Sequence, residues 1–224
     1  MKPTFRSTPV PPSECLPDSV RTRKALAFTL VELLVTIAII GIVASLVLSG
    51  VIIAGRKRDE QRVKAELAKL ELLINTYKDK FGSYPPDNPS GPVTNSLYYE
   101  LSGTTIVGGN FQTLDGAQAI SSADAQAFFG VPGFLNSTIG AVLAKNYLTE
   151  IKPDQAMQIS SVPVVMVLTS PGKPPPNNTI IVNGNPVNPW RYVSSNPVHN
   201  PGRFYLWAEI TINGQTNIIG NWKN

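Results

Sequence analysis

Residues Phe28 to Ala54 read FTLVELLVTIAIIGIVASLVLSGVIIA, and from Leu33 to Ala54 there is neither a charge nor a proline. Wound as a helix, that stretch is about 33 Å long, enough to cross the hydrocarbon core of a bilayer. One carboxylate, Glu32, stands at its amino end, and Arg21, Arg23 and Lys24 come just before it. A carboxylate at the centre of a membrane helix costs about 2.5–3.5 kcal/mol, and less near the interface. The simplest reading of Glu32 is a helix-start acid favoured by the helix dipole. An intramembrane acid is functional by default, however, and a plain anchor has no need of one.

What precedes the run cannot form a core. Residues 3–17 hold Pro3, Pro9, Pro11, Pro12 and Pro17 among serines and threonines, a composition that stays disordered. A secretory signal would place a small-residue cleavage site after a short apolar stretch. Here the small residue, Ala27, comes before it. A cut at Ala27 would remove the basic leader and leave the apolar segment on the mature chain. Most of the net charge of +4 lies in residues 1–27, so the rest is close to neutral. That balance argues against nucleic acid as a partner, because phosphate binding needs clustered Lys and Arg. One cysteine, Cys15, and one histidine, His199, exclude an internal disulfide and a zinc site built from several His or Cys. His199 reads as a loop residue, and no nucleophile-elbow pattern accompanies it.

The string KALAFTLVELL, residues 24–34, resembles the cleavage and methylation motif of type IV prepilins, a family that includes type IV pilins and the pseudopilins of type II secretion. The resemblance implies that a membrane-embedded aspartyl peptidase cuts between Ala27 and Phe28 on the cytoplasmic side. It also implies that the same enzyme N-methylates Phe28, and that Glu32 serves in fibre assembly. The family usually has glycine at the position of Ala27; alanine is the mildest replacement, and cleavage is expected. The physical expectation for Glu32 is an ion pair with the Phe28 α-amino group of a neighbouring subunit. In a low-dielectric fibre core either charge alone would be disfavoured, so pairing sets subunit register. Arg21, Arg23 and Lys24 favour a cytoplasmic amino end, while Arg56, Lys57, Arg58 and Arg62 beyond the anchor pull the other way. The resemblance places the amino end inside and the body outside.

Beyond the anchor, Val63, Leu67, Leu70, Ile74, Tyr77 and Phe81 recur in alternating steps of four and three, one stripe of an amphipathic helix. Lys64, Glu66, Lys69, Glu71 and Lys78 take the other face. A single helix is therefore expected from about residue 28 to 80, roughly 80 Å of it. Its end is set by Gly82 and Pro85. Five segments follow: a leader at 1–27, a transmembrane half-helix at 28–54, an amphipathic half at 55–81, a variable loop and helix region at 82–160, and an antiparallel sheet region at 161–224. In the middle, helices are expected at Leu97–Leu101, from a Ser122 cap through Phe129, and at Ile139–Leu148. Asp115, Asp124 and Asp154 read as cap or turn residues. Strands are expected at Val162–Leu168, Thr179–Val182, Trp190–Val193, Phe204–Ile212 and Gln215–Ile219, with Asn183-Gly184 and Asn213-Gly214 as turns. The fold class is α+β: a long amino-terminal helix packed on a small antiparallel sheet, the type IV pilin-like arrangement.

The tail, with Asn188-Pro189-Trp190, Tyr192, Tyr205-Leu206-Trp207 and Ile219-Gly220-Asn221-Trp222, resembles the carboxyl end of the major pseudopilins of type II secretion, the G type. The three tryptophans read as core and edge packing. The resemblance implies calcium held by Asp side chains in the loop after the penultimate strand. Here Ala208, Glu209, Thr211, Asn217 and Ile218 offer one acid where the family has several, so no cofactor is carried over. The resulting functional expectation is not an enzyme but a pseudopilin, a structural subunit of a periplasmic fibre that helps export folded proteins. Its implied partners are copies of itself, minor pseudopilins, the prepilin peptidase, an inner-membrane assembly platform and membrane lipid, with no nucleic acid. It would sit in the inner membrane as a single-pass protein, amino end cytoplasmic and body periplasmic. The alternatives are a type IV pilus subunit for adhesion or motility, and a membrane-anchored binding protein. Such pilins usually carry a carboxyl-terminal disulfide pair, and no cysteine follows Cys15.

Overall fold

A computed structural model describes residues 29–176, 179–197 and 200–222, with the side chains of 48–56 left aside. The fold is α+β and pilin-like: an apolar amino-terminal helix followed by small, mainly antiparallel sheets. Helix α1 (Leu30–Phe81) is unbroken, as the absence of proline allows. The chain divides into two units between Leu48 and Ser49.

In the second unit, Val63, Leu67, Leu70, Ile74 and Tyr77 of α1 are buried, and Phe81 packs against them. The predicted stripe is the core-facing side, and full burial of each aliphatic side chain is worth about 1.5–3 kcal/mol. Glu66, read from sequence as solvent-facing, is a correction. It is buried, and Trp190 Nε1 donates to its carboxylate at 3.4 Å. Burial pushes its pKa above the ordinary carboxylate value. The helix stops at Gly82, whose φ of 77° suits glycine and whose N–H reaches the Lys78 carbonyl at 2.7 Å.

The middle region holds α2 (Leu97–Ser102) and α3 (Ser122–Phe129), near their expected places. The cap of α3 is Ser121 rather than Ser122, its hydroxyl accepting from Asp124 N at 3.1 Å. Two expectations are overturned here. The region is not only loop and helix, since β1 (Thr104–Val107), β2 (Asn110–Thr113), β3 (Ala119–Ser121) and β4 (Ser137–Thr138) form a sheet in the order β3-β2-β1-β4. Nor is there a helix over Ile139–Leu148. Buried Asn136 donates to the Lys145 carbonyl at 2.7 Å and accepts from Lys145 N at 2.9 Å, while Tyr147 N bonds Leu101 O at 2.8 Å. Backbone groups that a helix would pair locally are paired across the fold instead.

Glu100 of α2 has no exposed surface, yet its carboxylate accepts three donors: Tyr77 OH at 2.8 Å, Leu135 N at 3.0 Å and Asn136 N at 3.0 Å. It ties α1 to the middle region, and desolvation raises its pKa. A hairpin of β5 (Ala156–Ser161) and β6 (Val164–Leu168) comes next; only its second strand was expected. Strands β7 (Ile180–Val182) and β8 (Asn185–Val187) form a second hairpin. The last sheet has the order β11-β10-β9, from β9 (Arg191–Val193), β10 (Tyr205–Ile212) and β11 (Gln215–Gly220). Asn213 at φ 56° and Gly214 at φ 76° make the two-residue β10–β11 turn, which demands positive φ at both positions. Leu206, Ala208 and Ile210 of β10 face the core, alternating with half-buried Tyr205, Trp207 and Glu209.

Asp87, just after α1, accepts from Ser194 N at 2.9 Å, Ser195 N at 3.0 Å and Ser195 Oγ at 2.8 Å, clamping the helix exit to the chain beyond β9. Partial burial pushes its pKa up, but these donors outweigh it and hold the carboxyl below its ordinary value. A depressed folded pKa stabilises at neutral pH, and the effect disappears as pH falls through that value. Asp87→Asn in the full chain in detergent micelles should therefore lower the thermal midpoint at neutral pH. The gap to wild type should close as pH falls through the depressed Asp87 pKa.

Candidate functional site

The first unit contributes the amino-terminal part of α1. Leu30–Val47 has a mean hydropathy of 2.7 and is long and apolar enough to cross a membrane. None of it is buried within the protein, and Leu30, Ile40 and Leu46 are 74%, 65% and 68% exposed. A helix apolar all round and covered by none of the described residues fits lipid or other apolar helices. Its hydroxyls are satisfied locally: Thr36 Oγ1 donates to Leu33 O at 2.8 Å and Ser45 Oγ to Ile42 O at 2.7 Å. Internal pairing of this kind is what a hydrocarbon environment requires.

Glu32 lies in the first turn and closes a reciprocal cap with Thr29. Thr29 N and Thr29 Oγ1 approach Glu32 Oε2 at 3.4 and 3.3 Å, and Glu32 N donates to Thr29 Oγ1 at 3.2 Å. This is a capping box, Thr-x-x-Glu, which satisfies amide donors that the helix leaves orphaned. Sequence reading singled out Glu32 and passed over Thr29, although the spacing of the pair carried the signal. The long N–H contact holds the carboxylate only lightly at the helix head. Ala27 and Phe28 lie outside the described residues, as do Cys15 and His199.

The tail residues act as fasteners. Asn188 Nδ2 donates to Glu209 O at 3.0 Å, and Trp190 is fully buried against Glu66. Asn221 extends the last sheet with its side chain: Leu206 N donates to its Oδ1 at 3.0 Å, and its Nδ2 reaches Phe204 O at 3.0 Å. Gly220 is needed because a Cβ there would sit 2.6 Å from the Trp222 ring. Trp222 instead lies across the strand between Tyr205 and Trp207, with ring centroids 5.0 and 5.7 Å away. Among the dispersed acids, Asp115 holds a turn through Thr113 Oγ1 and Ala117 N at 2.6 and 3.0 Å, and Asp124 accepts from Ser121 Oγ at 2.5 Å. Asp154 lies in a turn, as expected, and also pairs with Arg62 of α1.

The residues after the penultimate strand do not suit calcium. The β10–β11 connection is the tight Asn213-Gly214 turn, too short to wrap a cation that takes six to eight oxygens. Glu209 is engaged by Arg191, whose Nε lies 3.1 Å from Oε1. Among the described residues no group of three or more His, Cys, Asp or Glu could hold a metal.

Comparison with known proteins bears on this helix. Residues 22–54 match the model of the prokaryotic N-terminal methylation motif. The amino-terminal helix thus carries the motif of type IV prepilins and pseudopilins. The chain is 37% identical over 67 residues to type II secretion system core protein G of Escherichia coli K12, covering 30% of this chain and 46% of the relative. It is 35% identical over 66 residues to the core protein G of Aeromonas hydrophila, covering the same shares. The matched part thus spans just under half the length of these curated relatives. No solved structure matches. The apolar helix is long enough to anchor a protein in a membrane.

Thr29→Val removes the hydroxyl of the capping box while keeping the shape. Amide exchange at Leu30–Leu33 in micelles should become roughly fivefold faster, with exchange in α1 near Ile74 unchanged.

Proposed function

We propose that this protein is a pseudopilin, a structural subunit of a type II secretion pseudopilus that assembles in the periplasm to export folded proteins. The prepilin peptidase cuts between Ala27 and Phe28 and N-methylates Phe28. The mature subunit waits in the inner membrane as a single-pass protein, with its amino end cytoplasmic and its body periplasmic. An assembly platform in that membrane then draws it into a fibre with its copies and with minor pseudopilins. The observation that carries this reading is an uncovered apolar helix bearing the methylation motif, with a single acid, Glu32, at its head.

The chemistry is one of changing partners. In the separate subunit, Glu32 shares the donors of Thr29 across long contacts. Cleavage creates an α-amine at Phe28, and methylation leaves that amine able to carry charge. In a fibre core, the amine of one subunit and the Glu32 carboxylate of its neighbour neutralise each other. Desolvating either alone would be strongly unfavourable, so only the register that pairs them is populated.

Glu32→Ala should leave cleavage at Ala27 intact. It should stop incorporation into fibres, read as loss of cross-linked ladders of the protein and retention of exported proteins in the periplasm. Normal ladders and normal export by this variant would remove the pairing mechanism.

A further inference from the structure

The outer face of the last sheet contains a buried cation. The register Trp207↔Arg191 places Arg191 on the same face as Trp207 and Glu209. Most residues of that face are half-buried, but the Arg191 side chain is only 1% exposed. Three kinds of oxygen converge on its guanidinium. The Glu209 carboxylate lies 3.1 Å from Nε, while Asn188 Oδ1 and the Pro189 carbonyl each accept from Nη1 at 3.4 Å. Trp207 Nε1 also donates to Glu209 Oε1 at 3.4 Å. Carboxylate, side-chain amide and backbone carbonyl are the oxygen types that bind calcium. Here they are turned toward a guanidinium, a cation fixed covalently to the strand it stabilises.

We propose that Arg191 is a built-in substitute for a divalent cation. Its guanidinium neutralises Glu209 and binds residues 188–189 to β9 and β10, so the body of the protein is complete without calcium. This goes beyond the fibre reading and does not depend on it, because it concerns the unassembled subunit. Removing Arg191 takes the opposing charge from a half-buried carboxylate and removes the Nη1 donor from the two oxygens of residues 188 and 189, and breaking a buried pair from one side is the costly way to break it. The guanidinium also acts as a directional fork; an ammonium at this position would keep the charge but lose the simultaneous contacts.

The test is thermal unfolding of the full chain in detergent micelles, followed by near-ultraviolet circular dichroism of the tryptophans, with excess calcium chloride or with EDTA. Wild type should unfold at the same temperature in both. Arg191→Met should lower the midpoint by roughly 10 °C, and Arg191→Lys by less. Glu209→Gln, which keeps the shape and removes the charge, should lower it by about 5 °C and covers the case in which Arg191→Met does not fold. A wild-type midpoint that falls in EDTA overturns the proposal. So does an Arg191→Met or Glu209→Gln protein as stable as wild type.

Discussion

The structure depends on an apolar helix surface that none of the described residues covers. From Leu30 to Val47 the apolar side chains are buried by none of the described residues, and in water so much exposed aliphatic surface would be strongly unfavourable. Such a helix needs lipid or other apolar helices around it. In the proposed cycle lipid would satisfy it before assembly, and neighbouring helices would satisfy it in the fibre. The two surroundings differ little in apolarity, so the hydrophobic effect alone hardly favours one over the other. That leaves the polar groups at the helix head to decide, and there the chain has placed one acid.

The rest of α1 is bound to the body through both apolar packing and buried polar groups. Val63, Leu67, Leu70, Ile74 and Tyr77 enter the common core. Glu66 accepts from Trp190, and Tyr77 donates to Glu100, which in turn receives the amides of residues 135 and 136. Each polar bridge joins segments distant in sequence and selects one arrangement among the many that packing alone would tolerate. Arg191 and Glu209 do the same on the far side of the last sheet. The polar interior is therefore a set of staples between the helix, the middle region and the carboxyl-terminal strands.

Much of this was legible in the sequence where local chemistry dominates. The apolar run, the stripe on α1, the Gly82 stop and the turns at Asn183-Gly184 and Asn213-Gly214 all follow from periodicity and positive φ. Reading failed where partners are remote. Glu66 follows the charged face by spacing, yet the ring N–H of Trp190, far away in the chain, makes its burial tolerable. The segment Ile139–Leu148 has helix-like composition, but Asn136 and Leu101 take up its backbone groups. Strands β1 to β4 are two to four residues long, too short for alternation to register. At the candidate site Glu32 was evident as a lone acid, whereas Thr29 required attention to the capping spacing rather than to polarity.

The central claim is that this helix is made ready for assembly by exposing and modifying a new amino end beside Glu32. Mass spectrometry of the protein purified from membranes reads that end directly. The account predicts a mature chain that starts at Phe28 and carries one methyl group on its α-nitrogen. A chain that keeps its first 27 residues, with Phe28 internal and unmodified, would contradict it.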